Sequence, residues 1–455
     1  MKKTILTIAA AIFALSGAVS CTDYLYEGTV DLTPKPEEPF DYPTEYTFNH
    51  PCALVNADDI ARVKTHVEAA DESDLVYASW KHLCANSLAQ PTVVPDPKEI
   101  LVRGDVKGTG VASQNYISAC RDAASAFQLG IRWQVTGDKQ YAKKAAEILN
   151  AWAATCHTIT SNDNDNNLLA GFQGYQFANA AELIRDYDGW TEEEQNTYKQ
   201  WMRNLWYAKN YWFISEHGGA NVCTLHYWAN WELANLASIM AIGIYLEDFD
   251  MINFVYKNFR EGLGSGCINN FIPYEPIPDP DVEGCMIAQS MESGRDNGHA
   301  TLVVSICSEL CRMADNIGLD FFGMDNNNVL AMCEYTAKWN ARPEGSFLAT
   351  TMPFTEYRYC TDCTCRDKNH GAIHTEVAAD EGRGTIRPCW DLIYNHYKSK
   401  GVNPAAYHYT ELFAKQLRTS GGQLVGDGGA GDSRYGSNSS AYDQVGWGSL
   451  LFTRD

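Results

Sequence analysis

Positive charge is what this chain has least of. Its 35 Lys and Arg stand against 57 Asp and Glu, a formal charge of −22 over 455 residues. A balance so acidic argues against nucleic acid and anionic membrane surfaces as partners. It also steers no acidic ligand toward the protein, so an acidic substrate would need a locally basic site, aided by screening over about 8 Å at physiological salt. Strand-like alternation is nearly absent, which leaves an all-α chain. No internal stretch is long and apolar enough to cross a membrane. A Gly-rich phosphate loop with a following Lys-Ser/Thr, an HExxH motif and a nucleophile elbow are missing too, and with them the chemistry each supports.

What is present begins with "MKKTILTIAAAIFALSGAVSC". Two lysines, a short apolar run and small residues leading to Cys21 read as an export signal ending in a lipobox. The expectation is a lipoprotein tethered through Cys21, in the periplasm or outer membrane of a Gram-negative bacterium. The expected division is residues 1–21 signal, 22–48 a Pro- and acid-rich linker, and 49–455 one large domain. Fifteen cysteines are scattered through apolar helical stretches, where buried thiols are as natural as disulfides. The tight group Cys360, Cys363 and Cys365, followed by His370 and His374, lacks paired metal-ligand spacing, so no metal is expected there.

Helical periodicity runs through "ADDIARVKTHVEAA", "KQYAKKAAEILNAWAATC", "FQGYQFANAAELIRDY", "HYWANWELANLASIMAIGIYL" and further segments to "YHYTELFAKQL". Short links such as "TGDKQ" and "YDGWTEEE" join several into hairpins. Segments apolar all round alternate with amphipathic ones, as in an inner ring wrapped by an outer one. The Gly-rich "SGGQLVGDGGAGDSRYGSNSS" reads as a long surface loop.

Three of the inner-ring candidates start polar and continue apolar on one face. In "MESGRDNGHATL", read as a helix from its first residues, Glu292, Arg295, Asp296 and His299 share a stripe with Val303 and Ile306. His226 and Asn230 head a second stripe, Gln173 and Gln176 a third. Buried without partners, such groups cost several kcal/mol each, so the expectation is a shared wet cavity at one end of the ring. A buried ion-pair network is the other reading of Glu292, Arg295, Asp296 and His299. An amide, an imidazole, a guanidinium and many tyrosines suit removal of a proton beside a carboxylate, because the developing enolate must be stabilised.

The motifs "LLAGFQGYQFANAAELIRDYDGW", "HYWANWELANLASIMAIGI", "MESGRDNGHATL", "PFTEY" and "SAYDQVGWGSLLF", in that order, resemble the alginate-lyase-like proteins of Bacteroidetes, polysaccharide lyase family 38. The resemblance implies an (α/α) toroid of six to seven helical hairpins that cleaves a polyuronate by β-elimination. It implies no cofactor, an acidic polysaccharide as partner and a monomeric enzyme. In such lyases a histidine and a tyrosine transfer protons while an amide or arginine holds the carboxylate. Carried onto this chain, His299 is the base or neutraliser and Tyr357 of "PFTEY" the acid. Asn230 and Arg295 grip the carboxylate, and His226, Gln173, Gln176, Tyr175, Glu292 and Trp228 are candidates for substrate contact. The family's Asn-His two residues before Tyr-Trp is not reproduced, since His226 directly precedes Tyr227.

Two other classes remain open. A helical-toroid glycoside hydrolase would need carboxylates flanking a sugar, and Glu292 with Asp296 lie too close together on one segment for that. A glycan-capturing lipoprotein would have no need of Arg295, His299 and Asn230 in one cavity.

Overall fold

Helix ends in this chain are written by short polar residues. Asn56 opens α1 (Ala57–Ala69) with a capping box to Asp59, and α2 (Leu75–Ala85) starts on Asp74. Gly137, at φ 70°, ends α3 (Ile117–Thr136), and Asp138 caps α4 (Lys139–Thr155), so "TGD" makes a hairpin in two residues. Next come α5 (Asp165–Ile184), α6 (Glu192–Trp201) under a Thr191 capping box, and α7 (Ala208–Glu216) beyond a π-helical stretch at Met202–Tyr207. Then α8 (Ala229–Leu246) turns through Glu247 and Asp248 into α9 (Phe249–Glu261). The rest are α10 (Ile268–Phe271), α11 (Asn297–Asn316), α12 (Met324–Asn340), α13 (Trp390–Ser399), α14 (His408–Leu417) and α15 (Gly448–Phe452). This computed structural model describes residues 42–43, 45–217, 222–343, 345–359, 372–436 and 439–454.

Burial sorts the helices into two rings of a toroid. Every residue of α5 from Asn166 to Ile184 is buried, as is nearly all of α8. These two pack on each other most extensively, with α3 beside α5 and α11 beside α8, while α4 covers α3 and α9 covers α8. Gly171 lets the α5 and α8 backbones meet: a Cβ there would lie 2.8 Å from the carbonyl carbon of Ala234 and 2.9 Å from the nitrogen of Asn235. Among the described residues, four two-stranded ladders decorate the ring. The first pairs β1 (Ile100–Val102) with β2 (Thr158–Thr160) and the second pairs β3 (Ile277–Pro278) with β4 (Met286–Ile287). The third pairs β5 (Tyr357–Arg358) with β6 (Ile373–His374) and the last β7 (Thr419–Ser420) with β8 (Gln423–Leu424).

Four expectations change. The stripe from Glu292 to His299 is not helical throughout: residues 291–295 form a tight turn and α11 starts only after Asp296, whose carboxylate caps it. Likewise α8 starts at Ala229, so His226 lies in the turn before it. Gly426–Gly446 is no surface loop. Asp427, Ala430 and Tyr435 are buried in it, Gly429 lies flat against the Trp447 indole, and Gly429 bridges to Gly446; glycine permits approaches that a side chain would block. The packed part also begins before residue 49, because Tyr46 is buried and hydrogen-bonds to Asn253 on α9. Cys21, Cys360, Cys363, Cys365 and His370 lie outside the described residues. Among the described residues no helix is long and apolar enough to cross a membrane.

The Gly171 contact is with backbone, which cannot swing aside. Gly171→Ala is expected to lose about 1–3 kcal/mol, read as a lower denaturant midpoint with an unchanged slope. An unchanged midpoint would mean that α5 and α8 have slack at this crossing.

Candidate active site

The constellation starts from a buried carboxylate. Glu292, fully buried in the 291–295 turn, receives the Asn230 backbone N–H at 3.0 Å and Asn230 Nδ2 at 2.8 Å on one oxygen. Arg295 Nη1 donates to the other at 2.9 Å. Asn230 stands in the first turn of α8, so the Glu292 oxygen takes an N–H that the helix itself leaves unpaired. Glu292 thus welds the start of α8 to the turn before α11. It does not face a substrate, as expected above, because both its oxygens are engaged and none of its surface is open.

Arg295 is then fixed in three directions. Besides Glu292, its Nε lies 3.6 Å from Asp296 Oδ2, and its guanidinium sits 4.8 Å from the centre of the Trp228 ring. It keeps about a quarter of its side chain exposed. Trp228, the cap residue of α8, stacks on Tyr359 at 4.1 Å with 5° between the planes, and His374 lies 5.8 Å from it.

Asp296 and His299 form a dyad at the mouth of α11. The carboxylate accepts the His299 backbone N–H at 2.8 Å, and its Oδ2 lies 2.6 Å from His299 Nδ1. Burial pushes the Asp296 carboxyl up, but the bonds and charge of His299, with Arg295 behind, outweigh it and hold it at about 2. A carboxylate on Nδ1 fixes the tautomer and leaves Nε2 as the nitrogen available to another molecule.

The β5–β6 ladder covers this corner. Tyr357 pairs directly with His374, so the two share a face, and Tyr359, two residues along, returns to it. Tyr357 is 9% exposed. The ladder is tied down by the reciprocal Gln289–Thr355 bonds at 2.8 and 2.7 Å, by Ala378 N–H to the Ser293 carbonyl at 2.8 Å, and by Asn297 Nδ2 to the Ala379 carbonyl at 2.6 Å. Gly294 makes this fit, since a Cβ there would come within 2.6 Å of His374 Cβ and 2.8 Å of the Phe354 ring. Burial lowers the His374 pKa; a hydrogen bond with the Gly294 backbone opposes this, and the Arg295 charge adds to it. His374 Nε2 is buried with no partner, so the imidazole is neutral with a lone pair or N–H to spare.

The structure therefore unites Asn230, Glu292, Arg295, Asp296, His299 and Trp228 with the Tyr357 ladder, and separates others. Tyr175 is fully buried, its hydroxyl donating to the Asp443 carbonyl at 3.1 Å and accepting Val445 N–H at 3.2 Å. Gln176 Nε2 donates to the Tyr442 carbonyl at 2.6 Å. Both hold the C-terminal segment in place and line no open groove. Gln173 is 1% exposed with Oε1 unpartnered, also inside α5. Asn230 is fully buried and points Nδ2 at Glu292, leaving its carbonyl oxygen unpaired. An oxygen cannot grip a carboxylate, so Asn230 is a strut in this arrangement. His226 stays half-buried, edge-on to Tyr227 at 4.8 Å, and Asn164 donates to the Tyr227 hydroxyl at 2.6 Å. His374 was not singled out for this site from sequence. The alternation Tyr357, Arg358, Tyr359 was the signal for a strand face.

Among the described residues one group has metal-ligand types close together: His50, Cys52 and Glu182, at the opposite end of α5 from its start near Tyr227. It suits a cation poorly, because Arg185 Nη1 already lies 2.9 Å from Glu182 and 2.8 Å from His50 Nε2. Burial, then the Glu182 charge, also pushes the Cys52 thiol up, away from the thiolate a metal needs.

This two-ring helical toroid, with a guanidinium, an Asp–His dyad and tyrosines at one rim, has the fold of solved alginate lyases. A family model described as alginate lyase matches residues 65–270. An alginate lyase from Bacteroides ovatus shares 13% identity over 83% of this chain and 98% of its own, with a TM-score of 0.53. Alginate lyase A1-III from Sphingomonas species A1, in a histidine-to-alanine variant, shares 12% identity over 90% of this chain and 97% of its own, at TM-score 0.54. No curated protein matches the sequence significantly. The motif resemblance to alginate lyases is thus matched by a family model over part of the chain and by the fold of solved alginate lyases.

The Asp296 carboxyl sits near 2 in the fold against an ordinary 3.8. A depressed carboxyl contributes stability above its unfolded value and loses it as pH falls through the folded one. The Tm difference between wild type and Asp296→Asn should therefore be constant above about pH 4 and shrink between pH 4 and 2. The difference is expected to be small, since the side chain is 43% exposed. A difference independent of pH would show that the dyad is not ionised as drawn.

Proposed function

We propose that this chain cleaves alginate or a closely related polyuronate by β-elimination, with His299 and Tyr357 transferring the protons. The observation that carries the proposal is the Asp296–His299 dyad beside Arg295, under the Tyr357 ladder. In this reading Arg295, immobilised by Glu292 and Trp228, meets the substrate carboxylate with its exposed edge. That neutralises the group next to the C5 proton and lowers the cost of the enolate that forms when the proton leaves. His299 Nε2 takes the proton, and Asp296 stabilises the imidazolium that results. The C5 electrons form the C4–C5 double bond as the C4–O4 bond breaks, and the Tyr357 hydroxyl protonates O4. Support for the substrate comes from the family model and from the relative in the histidine-to-alanine variant, which has also been solved with a tetrasaccharide, at TM-score 0.51.

A second assignment of the base has its own observation. His374 is neutral, adjoins Arg295 and faces Tyr357 across the ladder with Nε2 unpartnered. It fits either as the base or as the group that holds Tyr357 in place.

Incubation with polymannuronate, polyguluronate and glucuronan, followed by ultraviolet absorbance of the unsaturated uronate ends, tests the reaction. Saturated reducing ends would instead mean hydrolysis, and intact bound polymer a binding protein. Tyr357→Phe and His299→Ala are each expected to lower kcat by about 10²-fold or more without unfolding the ring. If His374→Ala costs that much while His299→Ala costs little, the base is His374. The roles of Arg295 and the imidazoles require no metal, so exhaustive chelation should leave turnover unchanged; loss of activity restored by one added ion would overturn that mechanism.

A further inference from the structure

At the end of the ring opposite the dyad, the C-terminal part of α11 borders a second cavity, of about 500 Å³. Arg312 lies 13 residues after His299, about 20 Å along the helix axis. Three guanidinium groups converge there on one fully buried carboxylate: Asp59 takes Arg62 at 2.8 Å, Arg312 at 2.7 Å and Arg454 at 3.3 Å. Asp315 is shared in the same way by Lys400 at 2.9 Å, Arg312 at 3.4 Å and His396 at 3.8 Å. Four permanent cations thus meet two carboxylates. Asp58, on the rim, is exposed. Arg312 is 6% exposed and its Nε has no partner.

Among the described residues, with Asp58 counted, cations here exceed carboxylates by one, a local surplus in a chain of charge −22. Unmatched charge in a low-dielectric recess is costly until an opposite charge arrives. The crowding is visible in Arg454: burial lowers its pKa, Asp59 opposes, and Arg312 and Arg62 lower it further. Burial and the charges of Lys400, Arg312 and Arg454 likewise keep the His396 imidazole neutral, against the pull of Asp315. The remaining wall offers the exposed Asn49 amide and the Ser399 hydroxyl oxygen, with Phe452 as an apolar face, while Asn56 and Asn316 bond each other and the backbone. This volume falls in the usual range of small-molecule sites, about 300–1,000 Å³, and exceeds what a bare oxyanion fills.

We infer that this cavity is a binding site for a small hydroxylated carboxylate, a sugar acid of one or two units, separate from the lyase site. The carboxylate lies against Lys400, Arg312 and Arg454, and the hydroxyls meet Asn49 and Ser399. The inference stands apart from the lyase reading because its readout is binding.

Isothermal titration of the full chain with glucuronate, glucose and inorganic phosphate tests it, with the His396 imidazole NMR signal as locator. Saturable binding of glucuronate that shifts His396, with none for glucose, is expected. Lys400 is half-exposed, so Lys400→Glu should fold; it is expected to weaken binding at least about tenfold by charge reversal while leaving polymer cleavage unchanged. Arg295→Ala should not alter this binding, which separates it from uronate held at the lyase site. Phosphate binding as tightly as glucuronate would overturn the sugar-acid assignment. Absence of saturable binding, or binding indifferent to Lys400→Glu, would overturn the site itself.

Discussion

One hydrogen-bonded ion pair organises the active rim: the Glu292 carboxylate shared between Asn230 and Arg295. Removing such a carboxylate leaves a buried amide and a guanidinium without a partner, and breaking a buried pair costs several kcal/mol, far more than a surface pair contributes. Here the pair also has a geometric task. It fixes the start of α8 against the turn before α11, so that Trp228, Arg295 and the Asp296–His299 dyad keep one arrangement. These groups belong to segments far apart in sequence, and a rigid joint between helix ends keeps them in register.

This joint reconciles the two readings that the sequence left open for Glu292, Arg295, Asp296 and His299. The inner half of the cluster, Glu292 with Asn230, is a structural network with no exposed surface. The outer half, Arg295 with Asp296 and His299, is partly open. A buried carboxylate anchors a guanidinium whose other edge is exposed, so the cluster is structural on one side and open on the other.

Much of the ring was legible in the sequence because inner helices are apolar all round and outer ones are not, a contrast that α5 and α4 show clearly. Helix ends were harder to place. The apolar stripe of α11 extends smoothly back through Arg295 and Glu292, yet the chain turns at Ser293 and Gly294, where Ser290 and Ser293 satisfy each other; competition by serine side chains for backbone groups is invisible to periodicity. Tyr175 and Gln176 were misplaced for a different reason. Polar residues heading an apolar face can meet a cavity or a stretch of irregular backbone, and here Tyr442, Asp443 and Val445 supply the carbonyls and the amide. His374 escaped as a site residue because its pairing with Tyr357 joins two segments across residues 360–371, a contact that no local pattern encodes.

Trp228 sits in contact with a guanidinium and a phenol ring at the rim that carries the Asp296–His299 dyad. An indole so placed is an optical sensor built into the rim: the emission of this one residue depends on where the Arg295 charge lies relative to its ring. Drawing that charge toward a substrate carboxylate would change the local field on the indole before any bond breaks, so occupancy and turnover could be followed as separate signals in one cuvette.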